Sequence, residues 1–288
     1  MTDQQCPVCA KTSPVPHREV ARVSLVRCTG CDLVYREAPP ESFPHAMAFG
    51  ESFFAGDVKG GYGDYLRDES VTRHQARDYL RLIERFSPPP GRLFDGGCAT
   101  GFLLDEARRR GWVVSGCDAS PWAAAWARDR LGLSVTTELI DGDGNAGNSA
   151  SVVTLLNVIE HCERPRRAEE ACHERLVPGG LLLVETWDRD SLLARLAGSR
   201  WHQWTPASVV TWFNRRSLHA LFPPDRWEWL RYGRATRWIS LRRGLEVLGV
   251  PASGRLAGVV LPYRLGDLVI LLLRRRRAHS ATRQSASG

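Results

Sequence analysis

The chain has 288 residues, 43% of them hydrophobic and 25% charged, with a formal net charge of +7. That length holds one sizeable core with a small appendage, and the composition excludes global disorder. The longest apolar run, 268–273, is far shorter than the roughly 20 residues a spanning helix needs, so the sequence offers no transmembrane span.

The start, M-T-D-Q-Q-C-P, has neither a basic region nor an apolar run, so no signal peptide is expected and the cytoplasm is the expected location. Eight cysteines in such a chain point to metal or free thiols before disulfides. Lys11 and Lys59 are the only lysines, an arginine bias that records genome base composition before function. A basic balance still admits RNA, anionic lipid at a peripheral membrane contact, or a phosphorylated substrate.

Residues 1–40 carry C-P-V-C and, after an eighteen-residue spacer, C-T-G-C: Cys6, Cys9, Cys28 and Cys31. Two such knuckles suit tetrahedral Zn²⁺, whose thiolates at about 2.3 Å tie together a segment too small to fold alone. With four thiolates no position stays open for chemistry, so the expected zinc is structural. Alternating Val20, Arg22, Leu25 and Arg27 suit a ribbon hairpin, which Leu33, Val34 and Tyr35 close. Residues 41–68 then read as a linker, and the aromatic and glycine mixture at 41–63 as a loop folded over a site.

From 69 to 86 the residues Val71, Ala76, Tyr79, Leu80, Ile83 and Phe86 follow helical spacing, stopped by the prolines at 88–90. Tyr62 and Tyr65 before it are lid candidates, or ordinary packing aromatics. Leu93 and Phe94 form a short strand ending at Asp95 in a glycine-bearing loop. Gly101 opens a helix with Leu103, Leu104 and Ala107 inward, and a second strand runs from Trp112 to Asp118. This is a β-α-β unit whose loop lets a ligand approach the backbone and the helix N–H groups. The dinucleotide spacing G-x-G-x-x-G fails, because Ala99 follows Gly97 where a second glycine belongs.

Ser120-Pro121 is a capped helix start, with Trp122 and Trp126 on one face. A weak strand at 133–137 leads to a glycine-rich loop from Asp141, which lacks the glutamate an E-F hand needs at its twelfth position. The apolar strand 152–158, Ile159-Glu160-His161, a helix from Pro165 and a strand at 181–185 form a parallel crossover. In that helix Ala168, Ala171, Cys172 and Leu176 are expected inward, and Arg166, Arg167, Glu169, Glu170 and Arg175 in water. A helix after Asn214, a strand at 227–230, a segment at 237–263 and a last strand at 267–273 complete the order. The 237–263 segment reads as a packed helix, a substrate lid or an interfacial amphipathic helix. Arg274 to Arg277 and residues 278–288 read as a solvated tail.

Asp95, Gly97, Ala99 and Gly101 resemble the D-x-G-x-G-x-G motif of class I S-adenosylmethionine (SAM) methyltransferases, with alanine at the middle glycine. G-C-D-A-S-P-W-A-A-A-W resembles that family's second strand, ribose acid and helix. L-L-N-V-I-E-H-C-E-R-P and L-V-P-G-G-L-L-L-V-E-T resemble the V-x-E-H-x-x-x-P and L-x-P-G-G-x-L segments of its ubiquinone-type group. The match covers 92–187, and the W-D-R-D-S segment extends it.

The resemblance implies an α/β fold, a doubly wound, mostly parallel seven-stranded sheet over 69–277 behind a small zinc ribbon. It implies SAM as cofactor. Asp118 then grips the ribose, Ala119 lies against adenine, and Asp95, Gly97, Cys98 and Gly101 face the methionine part, with Asn157 ending the next strand. Val209 stands where relatives often carry a histidine. His161, at the carboxyl end of a parallel strand, is the expected base, with His202 second; the alternative is that His161 only hydrogen-bonds a loop and shapes the pocket. Asn157, three residues before Glu160, replaces the acid that would help Glu160 hold a divalent metal.

The expected function is methyl transfer to a small-molecule or lipid-like acceptor. The alternatives are an RNA methyltransferase using the ribbon for recognition, and an inactive interaction protein. Arginines spread over many helices favour the small molecule, as do Phe, Tyr and Trp at 41–65 and 199–213, where Trp204 and Trp212 are expected to wall the acceptor pocket.

Overall fold

The protein is described by a computed structural model over residues 5–37, 50–54, 65–142, 147, 149–242, 259–264 and 266–277. Strands β1 (Val15–Val20) and β2 (Val23–Arg27) pair antiparallel around Ala21 and Arg22, whose φ values of 50° and 65° give the turn the left-handed backbone that two-residue hairpins favour. Strand β3 (Val34–Arg36) pairs with β2 on the other side.

The expected helix becomes α1 (Glu69–Glu84), burying Ala76, Tyr79, Leu80 and Ile83. Then follow β4 (Arg92–Gly96), α2 (Phe102–Arg109), β5 (Val113–Cys117), α3 (Pro121–Leu131) and β6 (Val135–Thr136). In α3 the Ser120 hydroxyl accepts from Ala123 N at 3.1 Å, with Pro121 in the first turn, so the cap read from the sequence is built. Next come β7 (Ala150–Leu156), α4 (Pro165–Arg175), β8 (Leu176–Trp187), α5 (Leu192–Ala197), β9 (Thr211–Trp212) and α6 (Arg215–Leu221). The chain ends in β10 (Trp227–Arg234), β11 (Arg237–Ser240), β12 (Val260–Tyr263) and β13 (Leu268–Arg275).

Seven strands form one sheet in the order β10-β13-β8-β7-β4-β5-β6. Pairs along β8-β7-β4-β5-β6 are parallel, and β13 runs antiparallel to both neighbours. The connections leave β4 toward β5 on one side and reach β7 on the other. That reversal of winding opens a crevice at the strands' carboxyl ends, where open α/β sheets bind ligands. The doubly wound sheet expected from the sequence is therefore present.

Successive residues of β8 face opposite sides, so Leu181 and Leu183 join Leu93, Leu104, Ala107 and the buried face of α1, while Leu182 and Val184 join Val153, Leu155, Ala168 and Leu218. Cys6, Val8, Val26, Cys28, Cys31, Leu33 and Tyr35 of the N-terminal ribbon belong to that second cluster. A second sheet, β1-β2-β3-β9, carries the ribbon into the chain's second half by pairing Val34 with Trp212.

Three expectations need correction. Glu169 is 1% exposed, not in water: Trp227 Nε1 donates to it at 2.6 Å and Arg226 lies 3.1 Å away, so a buried carboxylate is kept by its partners. Arg274 and Arg275 are strand, not tail; the Arg275 guanidinium donates to the Leu176 carbonyl, and Arg274 pairs with Glu228 at 3.0 Å. The flanks of 237–263 form the antiparallel pair β11-β12, not a helix. The middle of that segment, the 278–288 tail and most of the expected 41–63 loop lie outside the described residues. Among the described residues no helix is long and apolar enough to cross a membrane.

Candidate functional site

A cavity of roughly 450 Å³ opens at the carboxyl ends of β4, β5 and β7. Asp95, Gly97, Cys98, Ala99, Asp118, Ala119, Asn157 and His161 all line it. Local backbone explains the loop. The N–H groups of Gly97 and Cys98 both donate to the Cys117 carbonyl, at 2.7 and 3.0 Å, pinning the end of β4 to β5. Gly97, Ala99 and Gly101 take positive φ values of 73°, 48° and 81°. A β-carbon on Gly97 would collide with the Val158 side chain. Alanine at the middle position keeps the left-handed backbone at a cost of about 1 kcal/mol. Gly101 does not line the cavity; it caps α2 and lets Leu133 pack closely.

Asp118 holds this loop. Its Oδ2 accepts from Ala99 N at 2.7 Å and its Oδ1 from Ser120 N at 2.8 Å. Each carboxylate oxygen keeps a second lone pair, so Asp118 can brace the loop and accept vicinal hydroxyls together. Burial raises its pKa, opposed by the Ser120 and Ala99 N–H groups. Burial also pushes Asp95 to about 7, against the Thr154 hydroxyl that donates to it at 2.5 Å; the nearby Asp118 adds to the rise. The two acids and the glycine loop form a concave, polar-ended cradle.

His161 sits in the 3₁₀ turn Ile159–His161 just past β7. Its Nδ1 lies 2.6 Å from the Ser208 carbonyl oxygen. A carbonyl only accepts, so Nδ1 carries the proton and Nε2 the lone pair of the neutral ring. The loop bond expected as the alternative role of His161 is present. His202 does not line the cavity; it packs edge-on against Trp187, 3.7 Å from Asp267. Glu160 is turned inward, where Thr186 Oγ1 donates to it at 2.9 Å and burial pushes its pKa to about 8. Asn157, in the left-handed region at φ 55°, donates Nδ2 to the buried Glu185 at 3.0 Å.

Reading the sequence missed part of the lining. Ile140 and Asp141 face the cavity, and Asp141 Oδ2 accepts from Arg164 N at 3.1 Å. An acid five residues past β6 was the available signal. Tyr79 of α1 and Arg237 to Ser240 of β11 complete the outer wall, with Phe54 and Tyr65 above. Tyr62 lies outside the described residues. Trp204 and Trp212 do not wall the cavity. They pack with Leu25, Val34, Trp201 and Val209 under the ribbon, and Trp212 Nε1 donates to the Gln203 carbonyl at 2.7 Å.

The four ribbon cysteines bring their sulfurs within 4.8 Å of one another, the only such ligand group among the described residues. Cys6 and Cys31 sulfurs lie 3.5 Å apart, as do those of Cys9 and Cys28. Tetrahedral Zn²⁺ with bonds of about 2.3 Å sets sulfurs about 3.8 Å apart, so the donors fit. The Gly30 N–H also points at Cys28 Sγ, at 3.3 Å, steadying a thiolate. Cys6 is drawn down to about 5, chiefly by the Cys31 thiol, while Cys31 is pushed up. A bound cation would replace the proton such a pair shares.

Residues 71–223 match the family model described as a methyltransferase domain. The ubiquinone biosynthesis O-methyltransferase of Cereibacter sphaeroides is 31% identical over 158 residues, 51% of this chain and 63% of that protein. The chain thus spans less than two thirds of that relative's length. The protein of the same name from Ruegeria pomeroyi is 28% identical over 207 residues, 66% of this chain and 84% of that one. The N-methyltransferase NodS from Bradyrhizobium japonicum WM9, solved with S-adenosyl-L-homocysteine, has the same fold. It is 15% identical at a TM-score of 0.51, over 78% of this chain and 99% of that one.

Proposed function

This chain belongs to the class I SAM-dependent methyltransferases, and on that premise we propose that it methylates a hydroxyl oxygen of a small-molecule or lipid-like metabolite. The observation that carries the reading is one cavity lined by both the Asp118-braced loop and His161, whose Nδ1 is held by the Ser208 carbonyl. The relatives, both ubiquinone biosynthesis O-methyltransferases, favour oxygen as the attacked atom.

Bound SAM supplies a methyl group on a positively charged sulfur. Asp118 would take the ribose hydroxyls, Ala119 would lie beside the adenine, and Asp95, Gly97, Cys98 and Asn157 would surround the methionine end. As the acceptor oxygen bonds to the methyl carbon and the carbon–sulfur bond breaks, leaving its electron pair on a now neutral sulfur, Nε2 of His161 would take the hydroxyl proton, and the Ser208 carbonyl would steady the imidazolium that results. Proton transfer of this kind supplies typically 10²–10⁴ in rate. The outer wall of Tyr79, β11 and the Phe54–Tyr65 pair keeps water from the reacting atoms, and orientation supplies the remainder.

In this reading residues 1–40 are a ribbon closed by structural Zn²⁺, 41–68 a linker and lid, and 69–277 the catalytic domain, working in the cytoplasm. The test is calorimetry with SAM, then radiolabelled methyl transfer to fractionated cell extract. Label in a small-molecule fraction, little affected by salt, is the expected result. Label chiefly in RNA, collapsing as salt rises, overturns the acceptor class, and no SAM binding overturns the function.

A further inference from the structure

We propose that the four-cysteine ribbon is a positioning element for His161: closing the knuckles with metal holds β3, and β3 holds the carbonyl that sets the imidazole tautomer. The path is short and made of backbone. Three residues after Cys31, β3 begins, and Cys28 N donates to the Leu33 carbonyl at 2.8 Å, tying knuckle to strand. Val34 and Tyr35 pair with Trp212 and Thr211, Arg36 N donates to the Val210 carbonyl at 3.2 Å, and the Arg36 guanidinium donates to the Pro206 carbonyl.

The other edge of that same segment meets the catalytic turn. Val210 N donates to the Glu160 carbonyl at 2.9 Å, and Thr211 Oγ1 to the Ile159 carbonyl at 3.2 Å. Ser208 supplies the carbonyl that accepts from His161 Nδ1 at 2.6 Å. Residues 206–212 are therefore a filler between the ribbon and the turn at 159–161. With two residues of strand, β9 has little pairing of its own to stay in place without β3.

The knuckles are themselves seated on the domain. Arg166 donates to the Val8 carbonyl at 2.8 Å, Arg216 to the Gly30 carbonyl at 2.7 Å, and Asn214 Nδ2 to Asp32 Oδ2 at 2.6 Å, where Arg189 also binds. Metal binding energy becomes folding energy in such a segment. Losing the ion loosens β3 and frees residues 206–212. The Asp118 brace lies wholly within 95–120 and stays.

The inference rests on the reading of His161 as the base, and its test uses readouts other than turnover. Full-length protein labelled with ¹⁵N-histidine is loaded with Zn²⁺, and its imidazole two-bond ¹H–¹⁵N spectrum is recorded; the His161 signal is the one lost in His161→Gln. With zinc the ring should be the Nδ1–H tautomer. After chelation it should become a mixture, while the SAM dissociation constant from calorimetry stays within about twofold. Thr211→Val keeps the metal and removes one stitch to the turn, so it should shift the tautomer partway, with Thr211→Ser restoring it. An unmoved tautomer in both zinc-free protein and Thr211→Val overturns the proposal, as does SAM affinity lost in step with the metal. Should the zinc-free chain unfold, Thr211→Val alone decides. Undiminished methyl transfer by His161→Gln sinks the base reading alone; the ring spectrum still decides the coupling.

Discussion

The two sides of the cavity are built in opposite ways. The side with Asp95 and Asp118 comes from one β-α-β unit: the Asp118 and Cys117 braces of its loop lie inside 95–120, and β7 adds the Thr154 hydroxyl on Asp95. The side with His161 needs residues 36, 160, 208, 210 and 211 to meet, and these come from three distant parts of the chain. A local wall survives damage elsewhere, because its closure entropy is small. A wall assembled from distant segments inherits the stability of each.

The largest effect expected on SAM binding is from Asp118→Ala, which breaks the local wall. It removes the proposed ribose acceptor and leaves the Ala99 and Ser120 N–H groups without their acceptor, a loss of roughly 3 kcal/mol or about 100-fold in SAM affinity. Unchanged affinity in calorimetry removes Asp118 from the site.

His161→Gln should lower turnover by roughly 10²–10³ and abolish the acidic limb of the rate–pH profile, with SAM affinity unchanged. A proportional loss of SAM affinity would mean the two walls are not separable.

Glu160 sharpens the comparison through pH. Its folded pKa is about 8 against 4.5 for the free side chain, so between those values the folded chain keeps a proton the unfolded chain has released. Stability therefore falls as pH rises through that window. Glu160→Gln should remove this slope, raising the thermal midpoint at pH 9 by several degrees, on the order of 2–5 kcal/mol, and changing little at pH 5. Equal gains at both pH values would contradict a buried, proton-bearing carboxyl.

Ala99→Gly should have the smallest effect. Relief of the left-handed alanine is offset by the extra chain entropy of glycine, leaving a net change within about 1 kcal/mol. A loss of several kcal/mol in denaturant unfolding would show that the alanine methyl carries packing of its own.

The local wall was legible before any fold was known. Its glycines, its strand-terminal acids and the Ser120-Pro121 cap are properties of consecutive residues, and the same backbone geometry recurs wherever that pattern does. Glu169 shows the limit: helical spacing placed it on the wet face, but β10 brings Trp227 and Arg226 across it. Trp204 and Trp212 show it again, since an aromatic-rich segment says that something is covered and not what.

Sequence alone determined the β-α-β cradle, the strand and helix order of the doubly wound sheet and the four-cysteine ligand set, because periodicity, caps and ligand spacing act over short stretches of chain. Only the tertiary structure decided that Ser208 faces His161, that His202 does not reach the cavity and that the ribbon pairs with β9. Those contacts join residues up to 178 positions apart, as Val34 and Trp212 are, and no local pattern encodes which distant segment will supply a carbonyl or cover an indole.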